Sequence, residues 1–445
     1  MTVWVGLLVL GIGLGASLFL PVPQTLKTSF DAGQSLYALG EYEGAIIEYS
    51  KIVQFDSPAV RTDSVRVQFG DDLNLPVVAA AWYQLGNAYK KSGKHQEAVD
   101  AYHQVLEVKG TPEDFRSLVQ FQLAETRFLQ GEHREAAAEY RRYVQLFPQS
   151  AEAGKAFFYS GWSEFNQKEY DQSIATLREM LQTYPQDRYA PDAQFRIASA
   201  YFEKGQHQQA IDEAQVVLDR YPNSPVIAQA TYLRASALDQ MGRDGEAIAA
   251  YREVRSLYDR MFELLRGSFR EGKNVDFENY RQLFETSSLR VAEILSEEGE
   301  FTEALDELIA AQETAEERFY KAKVQMRIGD LYMKWGGRDP ARFEEAWQAY
   351  NQVIELYADT PYPPNAQYQK GEARYFAGNY RASRQDYLKV LDDYPDSDTG
   401  LRAAALYSAA WSAEKVGDRE AAVQSYAAAV ERFPRAEQAP LCLLR

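Results

Sequence analysis

Small residues recur in pairs along this chain, and the two members of a pair are usually 12 residues apart. Gly86 and Ala98 form one such pair. Apolar residues at helical spacing surround each of them, and the two runs are separated by Ser92-Gly93, a typical helix end. Residues 82–102 are therefore predicted to form two short helices that fold back on each other and cross where Gly86 meets Ala98.

The same pairing extends over almost the whole sequence. Nine pairs keep the spacing of 12: Gly33/Ala45, Gly86/Ala98, Ala124/Ala136, Gly161/Ser173, Ala198/Ala210, Ala235/Ala247, Ala292/Ala304, Gly371/Ser383 and Ala410/Ala422. A tenth pair, Gly329/Ala346, is 17 apart because residues 336–340 lengthen the turn. The recurrence predicts an all-α fold, an α-solenoid of about ten helix pairs that needs no single central core.

The repeats resemble the tetratricopeptide pattern W-x2-L-G-x2-Y…A, which is matched here by Trp82, Leu85, Gly86, Tyr89 and Ala98. Several second helices are followed by an aromatic residue and proline, and successive prolines at 148, 185 and 222 are 37 residues apart. A unit of this length is similar to those of Gram-negative envelope proteins, namely the outer-membrane β-barrel assembly lipoproteins and the periplasmic Tol-Pal accessory proteins. The resemblance covers residues 29–437. It implies a concave groove, lined by the first helices, that binds protein segments.

Residues 3–22 form an uncharged run of 20 residues that precedes the repeats. The run is long enough for an uncleaved transmembrane helix. A cleaved signal peptide and a buried soluble helix are the alternative interpretations. The chain lacks the N-terminal lipobox cysteine of the related lipoproteins, so the apolar helix is the expected anchor. The resemblance implies a bacterial cell-envelope location with a periplasmic repeat body, either anchored or released after signal cleavage.

Two insertions interrupt the period and set the predicted domain boundaries. Residues 1–26 are the anchor or signal segment, and residues 27–258 hold repeats 1–6 with an insertion at 57–77. Alternating apolar residues predict a short strand or hairpin near residues 65–74. Residues 259–285 are a helical insertion or hinge, and residues 286–445 hold repeats 7–10.

Composition and motifs argue against several function classes. The formal net charge of −17 disfavours nucleic acid as a partner and favours basic flanks on a protein partner. The single cysteine, Cys442, rules out an internal disulfide or a cysteine-based zinc site. Three of the four histidines occupy equivalent positions in different repeats, too far apart to share one metal. We find no catalytic motif and expect no enzyme activity, no cofactor, no metal and no small-molecule substrate.

An aromatic stripe on the first helices is the candidate binding surface. An aromatic ring stands three residues before the small residue in eight repeats, and a second ring follows seven residues later in five of them. Rings seven residues apart lie on one helix face. The earlier rings have a competing interpretation as core, whereas the later rings and two tryptophans fit the groove better. The predicted groove residues are Tyr37, Phe121, Phe128, Phe158, Trp162, Phe165, Phe195, Phe202, Tyr375 and Trp411.

Three functions remain open from the sequence. The leading hypothesis is a non-enzymatic envelope scaffold that binds partner protein segments in its groove, for outer-membrane assembly or for envelope and division coordination. The second is a structural repeat subunit of a large membrane complex. The third is a regulatory repeat domain of an enzyme system.

Overall fold

The structure is a computed structural model that describes residues 22–55, 65–70, 73–268, 277–315 and 317–444. These residues form 21 α-helices and one two-stranded sheet. The chain divides into two compact units, Met1–Ile227 and Ala228–Arg445, which are described separately below.

The first unit contains five helix pairs and the sheet. Its elements are α1 (Val22–Ala38), α2 (Tyr42–Val53), β1 (Arg66–Phe69), β2 (Leu73–Pro76), α3 (Val77–Lys91), α4 (His95–Glu107), α5 (Glu113–Gln130), α6 (His133–Leu146), α7 (Ala153–Asn166), α8 (Tyr170–Thr183), α9 (Ala190–Glu203) and α10 (His207–Arg220). Within this unit, consecutive helices from α1 to α10 pack on each other.

The second unit continues with five more pairs and a short terminal helix. Its elements are α11 (Ile227–Gln240), α12 (Asp244–Ser268), α13 (Phe277–Glu298), α14 (Phe301–Thr314), α15 (Arg318–Gly336), α16 (Arg342–Leu356), α17 (Pro363–Phe376), α18 (Tyr380–Asp393), α19 (Thr399–Lys415), α20 (Arg419–Arg432) and α21 (Ala439–Leu443). The ten described pairs confirm the predicted helix pairing, with one small residue of each predicted pair on each helix.

The small residues are buried in every pair. Where the small residue of the first helix is glycine, a ring or an aliphatic side chain of the second helix fills the space beside it. A Cβ on Gly161 would lie 2.6 Å from the Leu177 side chain, and a Cβ on Gly371 would lie 2.7 Å from the Tyr387 ring. The first helix must therefore carry glycine or alanine where the second helix presents a large side chain.

The second helices end as the aromatic-proline pattern predicts. For example, α6 ends one residue before Phe147-Pro148, and α8 ends one residue before Tyr184-Pro185. The residue before a proline is disfavoured in helical geometry. Phe147 has φ −130° and ψ 53°, and Tyr184 has nearly the same values, so both leave the helix.

The predicted hairpin near residues 65–74 is confirmed. Strands β1 and β2 pair antiparallel, with Val67 opposite Leu75, and both side chains are buried. The Phe69 ring lies 5.6 Å from the Tyr83 ring and 5.4 Å from the Phe115 ring, measured between centroids. The hairpin therefore covers part of the first-helix face of the second pair.

The predicted insertion at 259–285 lengthens two helices of the array. Helix α12 runs on to Ser268 and α13 begins at Phe277, so both are longer than their counterparts. Residues 269–276, where the hinge is predicted, lie outside the described residues. The hinge and the predicted domain boundaries stay predictions.

The two chain ends differ in what the structure describes. The predicted anchor at residues 3–22 lies almost entirely outside the described residues, and Leu26 is the first core side chain of α1. Within the described ranges, no helix is both long and apolar enough to cross a lipid bilayer. At the other end, Ala439 and Cys442 of α21 are buried, and Cys442 belongs to the core of the last pair.

Candidate partner-binding surface

The earlier rings of the predicted stripe pack mainly inside their own helix pair. Phe121 on α5 lies 5.6 Å from the ring of Tyr140 on α6, and similar contacts join Phe30 to Tyr49, Tyr83 to Tyr102, Tyr232 to Tyr251, Tyr368 to Tyr387 and Tyr407 to Tyr426. Phe121 and Phe158 are only 5% and 3% exposed. Phe195 is half-buried, and its pair has Ala214 at the position where six of the other pairs have tyrosine and the pair of Phe158 has Leu177. These rings are chiefly core residues.

The later rings close the turn between the two helices of a pair. Phe165, near the end of α7, lies edge-on to Tyr170, the first residue of α8, with 5.4 Å between centroids. The same contact recurs in Tyr37–Tyr42, Phe128–His133, Phe202–His207 and Tyr375–Tyr380, at 5.1 to 5.4 Å. All five later rings are half-buried, so one face of each is committed to the turn.

Three second helices begin with a histidine at the position where the turn contact forms. His133 and His207 lie against Phe128 and Phe202. His95 begins α4 in the same way, and all three side chains are half-buried. They are turn residues in separate repeats. In the described part of the chain, no group of three His, Cys, Asp or Glu side chains has a metal-binding arrangement.

A continuous aromatic strip runs across three successive pairs of the first unit. We define it by its half-buried rings, Phe128, Tyr159, Trp162, Phe165 and Tyr189. Phe128 lies 5.3 Å from Tyr159 and 5.2 Å from Trp162, and Tyr159 stacks on Trp162 at 5.4 Å. Buried Phe158 joins Trp162 to Tyr189. The strip unites three predicted residues with Tyr159 and Tyr189, which the repeat spacing did not single out.

Cations of the chain itself lie on this strip. The Arg196 guanidinium is 4.9 Å from the centroids of both Trp162 and Phe165, and the Lys155 amine is 6.0 Å from the Tyr159 ring. Desolvation lowers the pKa of Arg196, although the charge of Asp192 opposes the shift. Burial also raises the pKa of Asp192. The strip thus combines large apolar rings with partly desolvated charge.

A second aromatic site lies in the second unit, between the first helices of the last two pairs. A pocket of about 270 Å³ is lined by Glu372, Tyr375, Phe376, Tyr387, Tyr407, Ser408 and Trp411. It brings together Tyr375 and Trp411, which the sequence predicted separately. We call it the α17–α19 pocket.

A recurrent buried glutamine on the first helix was missed by the sequence reasoning. Gln367 on α17 donates to the backbone carbonyl of Asp386 at 2.9 Å and to its carboxylate at 3.2 Å. Gln120, Gln194 and Gln325 make the corresponding bond to Glu139, Glu213 and Ala349. The recurrence of glutamine four residues before the small residue was the available signal. These side chains tie the two helices of a pair together.

Comparison with known families agrees with the repeat pattern. Residues 151–271 match the YfiO family, described as outer membrane lipoprotein. Tetratricopeptide-repeat families match residues 79–111 and, in three further copies, residues 118–150, 365–397 and 404–436. The resemblance to bacterial envelope proteins with such repeats is thereby confirmed. No curated protein matches the chain.

Solved structures with similarity to the chain include MamA, P58(IPK) and YrrB. MamA is 18% identical over 44% of this chain and 91% of its own, with a TM-score of 0.34. The TPR domain of P58(IPK) is 17% identical over 88% and 99%, with a TM-score of 0.28. YrrB, described as a TPR protein with an unusual peptide-binding site, is 19% identical over 44% and 86%, with a TM-score of 0.32. At these scores the similarity carries no argument about function.

Proposed function

Because the chain is a tetratricopeptide-repeat protein that resembles bacterial envelope proteins of this type, we propose that it is a non-enzymatic scaffold that binds partner protein segments. The aromatic strip is the proposed binding surface of the first unit. We further propose that the scaffold works in the cell envelope, in outer-membrane assembly or in envelope and division coordination. The match of residues 151–271 to an outer membrane lipoprotein family supports this location.

The observation that carries the proposal is the continuity of the strip. Phe128, Tyr159 and Trp162 touch one another although they come from two helix pairs, and each remains half-buried. Rigid aromatic rings supply large contact area at small entropic cost, and such residues dominate the energetics of protein interfaces. An extended or helical segment laid across α5 and α7 would contact several rings at once.

The test is a paired substitution, Tyr159→Ala with Trp162→Ala, in the full-length protein. Partners are cross-linked in cells, captured from detergent extracts and quantified against the unchanged protein. Leu129→Ala is the matched control, because Leu129 lies next to Phe128 on α5 but is 60% exposed and outside the strip. We expect the pair to lose specific partners while the control retains them. Equal capture by all three proteins, with unchanged circular dichroism, would refute binding at the strip.

The proposed membrane attachment through residues 3–22 has its own test. Leu26 is the first core residue, so deletion of residues 1–21 removes no described core side chain. We expect the full-length protein to resist a carbonate wash of membranes and the deletion variant to be soluble with the same helical circular dichroism. A full-length protein that washes off would contradict an uncleaved anchor and favour signal cleavage.

A further inference from the structure

The α17–α19 pocket has a composition that differs from the aromatic strip. Four of its residues, Tyr375, Phe376, Tyr407 and Trp411, present rings from two successive first helices. Phe376 is 54% exposed, and the other three rings are half-buried. At about 270 Å³ the pocket lies just below the roughly 300–1,000 Å³ of small-molecule sites, which suits one inserted side chain.

The charge around the pocket is negative. Glu372 is part of the lining, and its carboxylate is oriented by the Tyr387 hydroxyl, which donates to it at 2.5 Å. None of the seven described lining residues is lysine, arginine or histidine. The pKa of Tyr375 is raised, first by desolvation and then by the neighbouring groups Tyr380, Glu372 and Glu414. The field of two carboxylates therefore reaches the pocket.

An aromatic enclosure with a carboxylate is the arrangement that attracts a cation, because the faces of aromatic rings carry negative potential. The chain itself shows the preference. Arg342 lies over Trp335 at 4.4 Å and Arg374 over Trp347 at 4.5 Å, both in the same unit. In the α17–α19 pocket, the lining supplies aromatic rings and a carboxylate, the two kinds of group that attract a cation.

We propose that the α17–α19 pocket binds the side chain of an arginine or lysine in the partner segment. The proposal rests on the proposed function, since it names the chemistry of the partner that the scaffold would hold. The excess of 65 acidic over 48 basic residues also favours a basic partner at long range.

The experiment uses full-length protein in which the six tryptophans are replaced by 5-fluorotryptophan and followed by ¹⁹F NMR. The Trp411 signal is assigned with Trp411→Phe. Two capped pentapeptide probes are titrated, Gly-Ser-Arg-Ser-Gly and the same peptide with citrulline, the uncharged isostere of arginine. We expect a saturable shift of the Trp411 signal with the arginine peptide and binding about 3- to 30-fold weaker with citrulline. Equal affinity for both, or no saturable shift, would overturn the proposal.

The carboxylate is tested with Glu372→Gln, which keeps an acceptor for Tyr387. We expect it to weaken arginine binding several-fold. Glu431→Gln, at an exposed position on α20, changes net charge equally and should leave binding unchanged. If Glu372→Gln alters the other tryptophan signals, Ser408→Lys decides instead, because a lysine on the pocket wall should abolish arginine binding. An unaffected affinity in the deciding variant would count against the cation site.

The outcomes separate this inference from the proposed function. If partner capture needs Tyr159 and Trp162 but the Trp411 signal does not respond to arginine, the proposed scaffold function stands and the proposed cation site is refuted. If arginine binds at Trp411 but no partner is captured, the cation site stands and the scaffold function is refuted.

Discussion

The Tyr102 ring occupies the space beside Gly86, so that a Cβ on Gly86 would lie 2.6 Å from Cε1 of Tyr102. The Tyr102 hydroxyl donates to Oδ1 of Asn87 at 2.7 Å, which fixes the ring in that position. Tyr49 faces Gly33 in the same way. The glycine of the repeat pattern and the tyrosine 16 residues later are thus two halves of one contact.

Gly86→Ala is therefore expected to destabilise the second helix pair. Overpacking a well-filled contact typically costs about 1–3 kcal/mol. Because neighbouring repeats are coupled only to each other, hydrogen exchange should rise in α1–α6 more than in distant helices. Uniform loss of protection along the chain would contradict this coupling.

Gly245→Ala is the control for the glycine substitution itself. Gly245 lies in the first turn of α12, and nothing approaches its Cβ position within 4 Å. Alanine has a higher helix propensity than glycine, by up to about 1 kcal/mol. We expect this variant to be neutral or slightly stabilised, so a loss equal to that of Gly86→Ala would show that packing is not the cause.

The ring contact that closes a turn is expected to contribute measurable coupling. Phe165 and Tyr170 lie edge-on at 5.4 Å in the fourth pair. A double-mutant cycle with Phe165→Ala and Tyr170→Ala should give a coupling energy of about 0.5–1.5 kcal/mol. Local hydrogen exchange in α7 and α8 is the measurement. Strict additivity would show that the two rings stabilise the fold independently.

The helix pairs were predictable because their signal is local and repeated. A small residue in each helix and a break between the two helices are enough to place Gly161 against the second helix of its pair. The aromatic contacts at the turns were harder to predict from the sequence. To see that Phe165 meets Tyr170, one must know that α7 ends at Asn166 and that α8 begins at Tyr170.

The exposure of the stripe could not be predicted, since it depends on the next pair. Phe158 is buried because Tyr189, which precedes α9, stacks on it at 5.2 Å. Phe376 was missed because it stands five residues after Gly371, outside the seven-residue spacing that defined the stripe. Its place in the α17–α19 pocket follows from the position of α19.

Gln367 gives a prediction about the buried hydrogen bonds. Gln367→Glu would turn a carboxylate toward the Asp386 carbonyl and carboxylate, which now accept from the Gln367 amide. Loss of the donor in this buried position should cost at least about 1–3 kcal/mol. Gln424→Glu, at an exposed position on α20, is the control and should change stability by less than about 0.5 kcal/mol. Local hydrogen exchange in the two variants measures the difference. Similar exchange rates in both would contradict the conclusion that Gln367 ties the two helices of its pair together.

Glu164 is a buried carboxylate, and its effect on the free energy of unfolding should depend on pH. Its side chain is 1% exposed, and its pKa is raised mainly by desolvation, although a Thr176 hydrogen bond and the Arg141 ion pair oppose the shift. Arg141 donates to one carboxylate oxygen, and the other oxygen is buried. Arg141 is more exposed, at 39%, and can be hydrated without Glu164.

The sign of the effect follows from the raised pKa. Between the pKa of about 4.3 in the unfolded state and the higher pKa in the folded state, the folded state holds more protons than the unfolded state. The stability of the folded protein therefore falls as pH rises through this range.

Glu164→Gln removes the carboxylate and with it this loss of stability at neutral pH. We expect the variant to gain stability relative to the unchanged protein at pH 7, and the gain to shrink at pH 3.5, where Glu164 is protonated in both states. Thermal melts of both proteins at the two pH values measure the stability of the variant minus that of the unchanged protein. Acid effects that both proteins share cancel in this difference. A variant that is less stable at pH 7 than at pH 3.5, relative to the unchanged protein, would show that the Arg141 ion pair outweighs the desolvation of Glu164.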